Sequence, residues 1–170
     1  ADSYAALSAV DNGITVVMRT NITVARFRTE LLQHRPDVLV FCGHGDAQLG
    51  DGLALAFVAD DGVTIDMVRV ETIADIFDML REAQEAGGHG RMQLLLLNGC
   101  CTLPLAKQLS KQVLVPHILC WGTSVAGEAA CAFPTVFLRS VLDGQTVDVA
   151  FLAARAAVEL IGKDALLRGD

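Results

Sequence analysis

One segment, Met92-Gln93-Leu94-Leu95-Leu96-Leu97, limits the possible folds more than any other. Apart from Gln93 it is apolar at every position, and it is bounded by a glycine-containing loop before it and Asn98-Gly99 after it. A short run without polar alternation is the pattern of a strand buried on both faces. Such strands belong to the centre of a parallel sheet, where helices cover both sides.

The rest of the chain alternates strand and helix, as that arrangement requires. Ile14–Met18 is a short β-branched strand. Thr23–Gln33 is amphipathic, with Val24, Phe27, Leu31 and Leu32 on one side and Asn21 or Thr23 as N-cap. Pro36 ends that helix and opens a second buried strand, Val38–Phe41, which runs into Cys42. Leu53–Val58 and Val63–Ile65 flank Asp60-Asp61-Gly62 and read as a hairpin. Val70–Ala83 carries Val70, Ile73, Ile76, Phe77 and Leu80 at helical spacing, and residues 86–90 form a loop. Thr102–Gln112 is a short helix and Pro116–Cys120 another buried strand. Gly127–Leu142 and Asp148–Ile161 are two closing helices parted by Gly144. The fold class expected is α/β, a mostly parallel sheet between helices with one antiparallel hairpin inserted after His44. The 170 residues suit a single domain spanning 1–170.

Composition excludes several classes of function. Hydrophobic residues make up 52% of the chain, enough for a full core. The net charge is −7, and no Lys/Arg cluster offers a phosphate-binding face, so nucleic acid is not an expected partner. No apolar run approaches the ~18–20 residues of a membrane span, and the first residues lack the pattern of a signal peptide. The absence of an initiator Met suggests a fragment or a processed product. Five cysteines, mostly in apolar segments, do not form a disulfide framework, so a reducing, cytoplasmic compartment is expected. Cys42, Cys120 and Cys131 read as small buried hydrophobes. His34 and His89 read as surface loop residues and His117 as a core histidine. Neither metal-ligand spacing nor a complete phosphate or dinucleotide loop is present, so no metal and no cofactor is expected.

Two strand ends carry the candidate chemistry. Gly43-His44-Gly45 follows the strand that ends at Cys42, and Asn98-Gly99-Cys100 follows the strand that ends at Leu97. The C-terminal ends of parallel strands lie on one edge, where ligands bind in open α/β sheets. A histidine base beside a cysteine thiol suffices for nucleophilic attack on a carbonyl, without an acidic third member. His44 would move protons, and the backbone N–H groups of Gly45 and Cys100 would form an oxyanion hole. Cys100 precedes a helix starting near Thr102, whose N-terminal charge favours a thiolate. Cys101, in the first helical turn, stays open as an alternative nucleophile on this reading, and a redox-sensitive vicinal pair is a further one.

These residues together resemble the caspase-like cysteine peptidases, and in particular the CHAT domain family, bacterial relatives often fused to TPR repeats. The resemblance rests on order over roughly residues 14 to 162. A strand runs into Gly43-His44-Gly45, followed by the hairpin of 53–65. Next come Leu94–Leu97 with Asn98-Gly99-Cys100-Cys101-Thr102, and then Ile118-Leu119-Cys120-Trp121-Gly122. Ala129–Phe133, Phe137-Leu138, Gly144 and Val147–Ala154 match the closing helices. The His-to-Cys separation of 56 residues is close to the ~50 of caspases.

The resemblance implies a three-layer α/β/α sandwich and peptide-bond hydrolysis in a protein or peptide substrate. It implies His44 and Cys100 as the dyad, with Cys100 preferred over Cys101 because the family's Cys directly follows a small residue. It places Trp121 on the wall of the substrate cleft and implies control by a partner domain or binding event, often in bacterial defence or cell death. Asp46 and Asp51 are candidates for an acidic pocket, or solvated turn residues. The chain departs from the family where the caspase Gln-Ala-Cys-Arg-Gly signature would stand, in Gly122 after the Trp, and in Asn98-Gly99 where metacaspases carry Asp. The family's first strand precedes the one at Ile14. Here Ala5, Leu7 and Val10 look more helical than extended, so that strand is expected to lie on a preceding segment and be missing from this chain. A non-catalytic caspase-like interaction module is the alternative to a peptidase. Acyl or thiol transfer by the same pair is a third reading.

Overall fold

The structure, a computed structural model, describes residues 7–11, 14–45 and 53–168. In chain order the elements are β1 (Leu7–Asp11), β2 (Ile14–Met18), α1 (Val24–His34), β3 (Val38–Cys42), β4 (Ala54–Val58) and β5 (Ile65–Arg69). They continue with α2 (Val70–Ala86), β6 (Leu94–Asn98), α3 (Leu103–Gln112), β7 (His117–Cys120), α4 (Gly127–Leu142) and α5 (Val147–Arg168).

β6 is the central strand of a three-stranded parallel sheet in the order β3-β6-β7. All five of its residues are buried, as its apolar sequence requires. Its side chains alternate between two cores. Leu95 and Leu97 join a cluster with Phe27 and Leu31 of α1, Ile73, Phe77 and Leu80 of α2, and Leu105 and Leu109 of α3. Leu94 and Leu96 join a second cluster with Phe133 and Phe137 of α4 and Ala150 and Ala154 of α5. Helices therefore pack on both faces of β6, and the described residues form a mixed α/β fold with a small, mostly parallel sheet.

Local chemistry sets the element ends. Thr23 caps α1, its Oγ1 accepting from Arg26 N at 3.2 Å. Arg35 turns into the left-handed region at φ 46° to end the helix, and Pro36 follows. The buried Gln84 of α2 donates to the carbonyls of Arg35 and Pro36 and accepts from Met92 N, so one side chain ties α2 to the approaches of β3 and β6. The β4–β5 hairpin turns at Asp61-Gly62, with Gly62 at φ 72°. Asp61 accepts from Val63 N and Thr64 N at 2.8 Å each and from Thr64 Oγ1 at 2.7 Å. Backbone hydrogen bonds from Thr64 and Val63 hold its carboxyl below the ordinary value of 3.8.

Four readings of the sequence are corrected. The segment expected to be helical, before Ile14, contains strand β1, which pairs antiparallel with β2 from Leu7↔Met18 to Asp11↔Ile14. The second hairpin strand runs over Ile65–Arg69 rather than Val63–Ile65 and meets α2 directly. Cys42 and Cys131 are exposed, because one ends an outer strand and the other lies on the outward side of α4. His117 is exposed as well, since β7 has a strand neighbour on one side only among the described residues.

Candidate functional site

The β3–β6 register runs from Val38↔Leu94 to Cys42↔Asn98, a constant offset of 56 residues. His44 and Cys100 are separated by the same offset. Both therefore leave the same end of the sheet at the same level on adjacent strands. Gly43 N donates to Asn98 O at 3.3 Å and carries the pairing one residue further. Beyond it the two turns touch through backbone. A Cβ on Gly99 would lie 2.6 Å from Gly43 O and 3.1 Å from Gly45 N, and one on Gly45 would collide with the Cys100 carbonyl oxygen. Glycine at both positions is what allows this approach. The hairpin braces the other side of the histidine turn, with Ala56 N donating to His44 O at 3.0 Å and a β-bridge between Gly45 and Leu55.

His44 is exposed and Cys100 is half-buried. Among the described residues no hydrogen bond joins the imidazole to the thiol. The Cys100 Sγ instead accepts from Val125 N at 3.4 Å and donates to Val125 O at 3.9 Å. Catalytic hydrogen bonds are commonly loose before substrate binds, so this geometry leaves the pair in play.

The α3 helix begins at Leu103, with Thr102 as N-cap residue. Cys101 thus lies in the turn and not in the first helical turn, and its φ of 54° is left-handed, a strained value for a side chain of this kind. Its N–H donates to Thr123 O at 3.0 Å, and its Sγ is 4.0 Å from Ser124 Oγ. Thr102 is buried and clamps the turn. Its Oγ1 lies 3.0 Å from Gly99 O and 3.2 Å from Leu97 O, and it accepts from Trp121 N at 3.2 Å.

Trp121 extends β7 and is half-buried. Its ring meets Phe133 edge-on, with centroids 5.5 Å apart, and its Nε1 donates to Asn98 Oδ1 at 2.8 Å. It is anchored to the sheet end and to α4. Asp46 and Asp51 lie outside the described residues. Cys120, on the α3 side of the sheet, has its thiol pushed up by burial, with Lys107 partly opposing.

Asn98 is the residue that motif reasoning passed over. It is buried at the end of β6, and its Nδ2 donates to Ala130 O at 2.7 Å and approaches Cys42 Sγ at 3.6 Å. In a regular helix the Ala130 carbonyl would accept from the residue four positions on. That residue is Pro134, which has no N–H, and Asn98 supplies the donor instead. A lone amide ending an apolar strand was the available sequence signal, because a buried polar group must find partners.

A comparison with protein-family models finds no match, and a search of curated proteins finds none either. No helix among the described residues is long and apolar enough to cross a membrane.

Proposed function

We propose that this chain is a caspase-like cysteine peptidase of the CHAT type, cutting peptide bonds with Cys100 as nucleophile and His44 as proton carrier. The observation that carries the reading is the shared offset: the strand register and the His44–Cys100 separation are the same 56 residues. In the proposed reaction the Cys100 sulfur attacks the substrate carbonyl and forms a thioester as the C–N bond breaks. His44 delivers the proton to the leaving amine, and water then hydrolyses the thioester. Backbone N–H groups at the Gly45 and Cys100 turns stabilise the tetrahedral oxyanion. Trp121 borders the cleft, a partner domain or binding event switches the enzyme on, and the compartment is the cytoplasm.

One observation favours the alternative, a non-catalytic interaction module: among the described residues no hydrogen bond joins the His44 imidazole to the Cys100 thiol. An electrophilic peptide probe separates the two readings. Mass mapping should find the probe on Cys100 of the wild-type protein, with labelling slowed by a factor of ~10²–10⁴ in His44→Ala, the usual scale for a lost acid/base group. Labelling of Cys100 at equal rates in both proteins would favour the module.

A further inference from the structure

The segment from Gly122 to Ala126 joins β7 to α4 and has no regular structure of its own, yet its middle reaches the candidate nucleophile. Val125 N–H donates to Cys100 Sγ at 3.4 Å, closer than the 3.9 Å at which Val125 O accepts from the thiol, and Thr123 O accepts from Cys101 N. Both ends of this segment are held by one side chain. At its start, Trp121 donates from Nε1 to Asn98 Oδ1. At its far end, the first turn of α4 offers the Ala130 carbonyl, freed by Pro134, to Asn98 Nδ2. The amide of Asn98 thus fixes the span across which Val125 is carried to the sulfur.

We propose that Asn98 is a positioning residue for Cys100. By holding Trp121 and Ala130 together it sets the 122–126 segment so that Val125 N–H donates to the sulfur and stabilises its thiolate form. The role rests on the reading of Cys100 as the reactive cysteine, but it does not require turnover. The loss of one hydrogen bond to an ionised group is worth about tenfold or more in an equilibrium. Trp121→Phe removes the Nε1 donor and shortens the ring while leaving an aromatic group beside Phe133. Asn98→Leu removes both links, and the approach to Cys42 Sγ, at similar volume.

The test is alkylation of each cysteine by iodoacetamide, followed across pH by peptide mass spectrometry, with the exposed Cys131 as internal reference. The titratable groups nearest in register and sequence, His44 and Cys101, are unchanged in both variants. For Cys100, the rate at neutral pH relative to its high-pH plateau should fall about tenfold in Asn98→Leu and by less in Trp121→Phe, while Cys131 follows the wild type. An unchanged or faster relative rate at Cys100 would overturn the proposal. So would a variant in which the half-buried Cys120 becomes fast along with Cys100, since that marks Asn98 as a strut for the whole fold. Neither outcome bears on peptide cleavage, which the probe experiment judges separately.

Discussion

A methyl group at Gly99 would stand 2.6 Å from Gly43 O and 3.1 Å from Gly45 N. Both obstacles are backbone atoms of the histidine turn, so relief requires moving that turn away from Cys100. Overpacking of this kind costs about 1–3 kcal/mol. Gly99→Ala is expected to lower stability by that amount in a denaturant titration and to reduce probe labelling of Cys100 well beyond what the stability loss explains. Labelling at the wild-type rate would show that the contact between the two turns is dispensable. The residue scale is also where sequence reading reached least far. The apolar segment predicted that Leu94–Leu97 would be buried, but nothing in it revealed that Asn98 complements a proline 36 positions later. That pairing depends on α4 crossing the end of β6.

At the scale of elements, α1 is tied to the end of β2 by the buried carboxylate of Glu30. Arg19 Nε reaches it at 2.9 Å, His34 Nε2 at 3.1 Å, and Arg26 pairs with it one helical turn away. Desolvation pushes this carboxyl up. The charges of Arg19 and Arg26, the Arg19 hydrogen bond and the charge of His34 together outweigh it, and the group titrates below its ordinary 4.5. Asp61 in the hairpin turn lies below its ordinary 3.8 for the different reason of local hydrogen bonding. A carboxyl lowered in the fold contributes stability that is fully present above its unfolded value and is lost as pH falls through the folded value. Melting temperature should therefore stay level near neutral pH and drop once pH passes below about 4.5. Glu30→Gln should melt lower at neutral pH and fall less steeply in acid. A parallel acid profile for the two proteins would show that Glu30 contributes nothing to it. Elements were mostly legible because apolar spacing and turn residues are local. β1 was not: Leu7 and Val10 are three apart, a helical spacing, and only pairing with β2 holds the segment extended. Likewise Cys42 and His117 lie in runs that look buried, and sequence alone does not tell an outer strand from a central one.

For the whole molecule, one strand organises everything else. β6 sends alternate leucines into two cores, and its end carries Asn98, Gly99 and Cys100 in succession. The cores hold the helices, the β3–β6 register brings His44 level with Cys100, and β7 delivers Trp121 and the segment that touches the sulfur. The central claim is that this edge is a peptidase site with Cys100 as its nucleophile. An unbiased peptide-library cleavage assay on wild type, Cys100→Ala and Cys101→Ala tests it most directly. The account predicts cleavage by the wild type, none by Cys100→Ala, and most of the wild-type rate in Cys101→Ala. Undiminished cleavage by Cys100→Ala, with loss in Cys101→Ala, would contradict it.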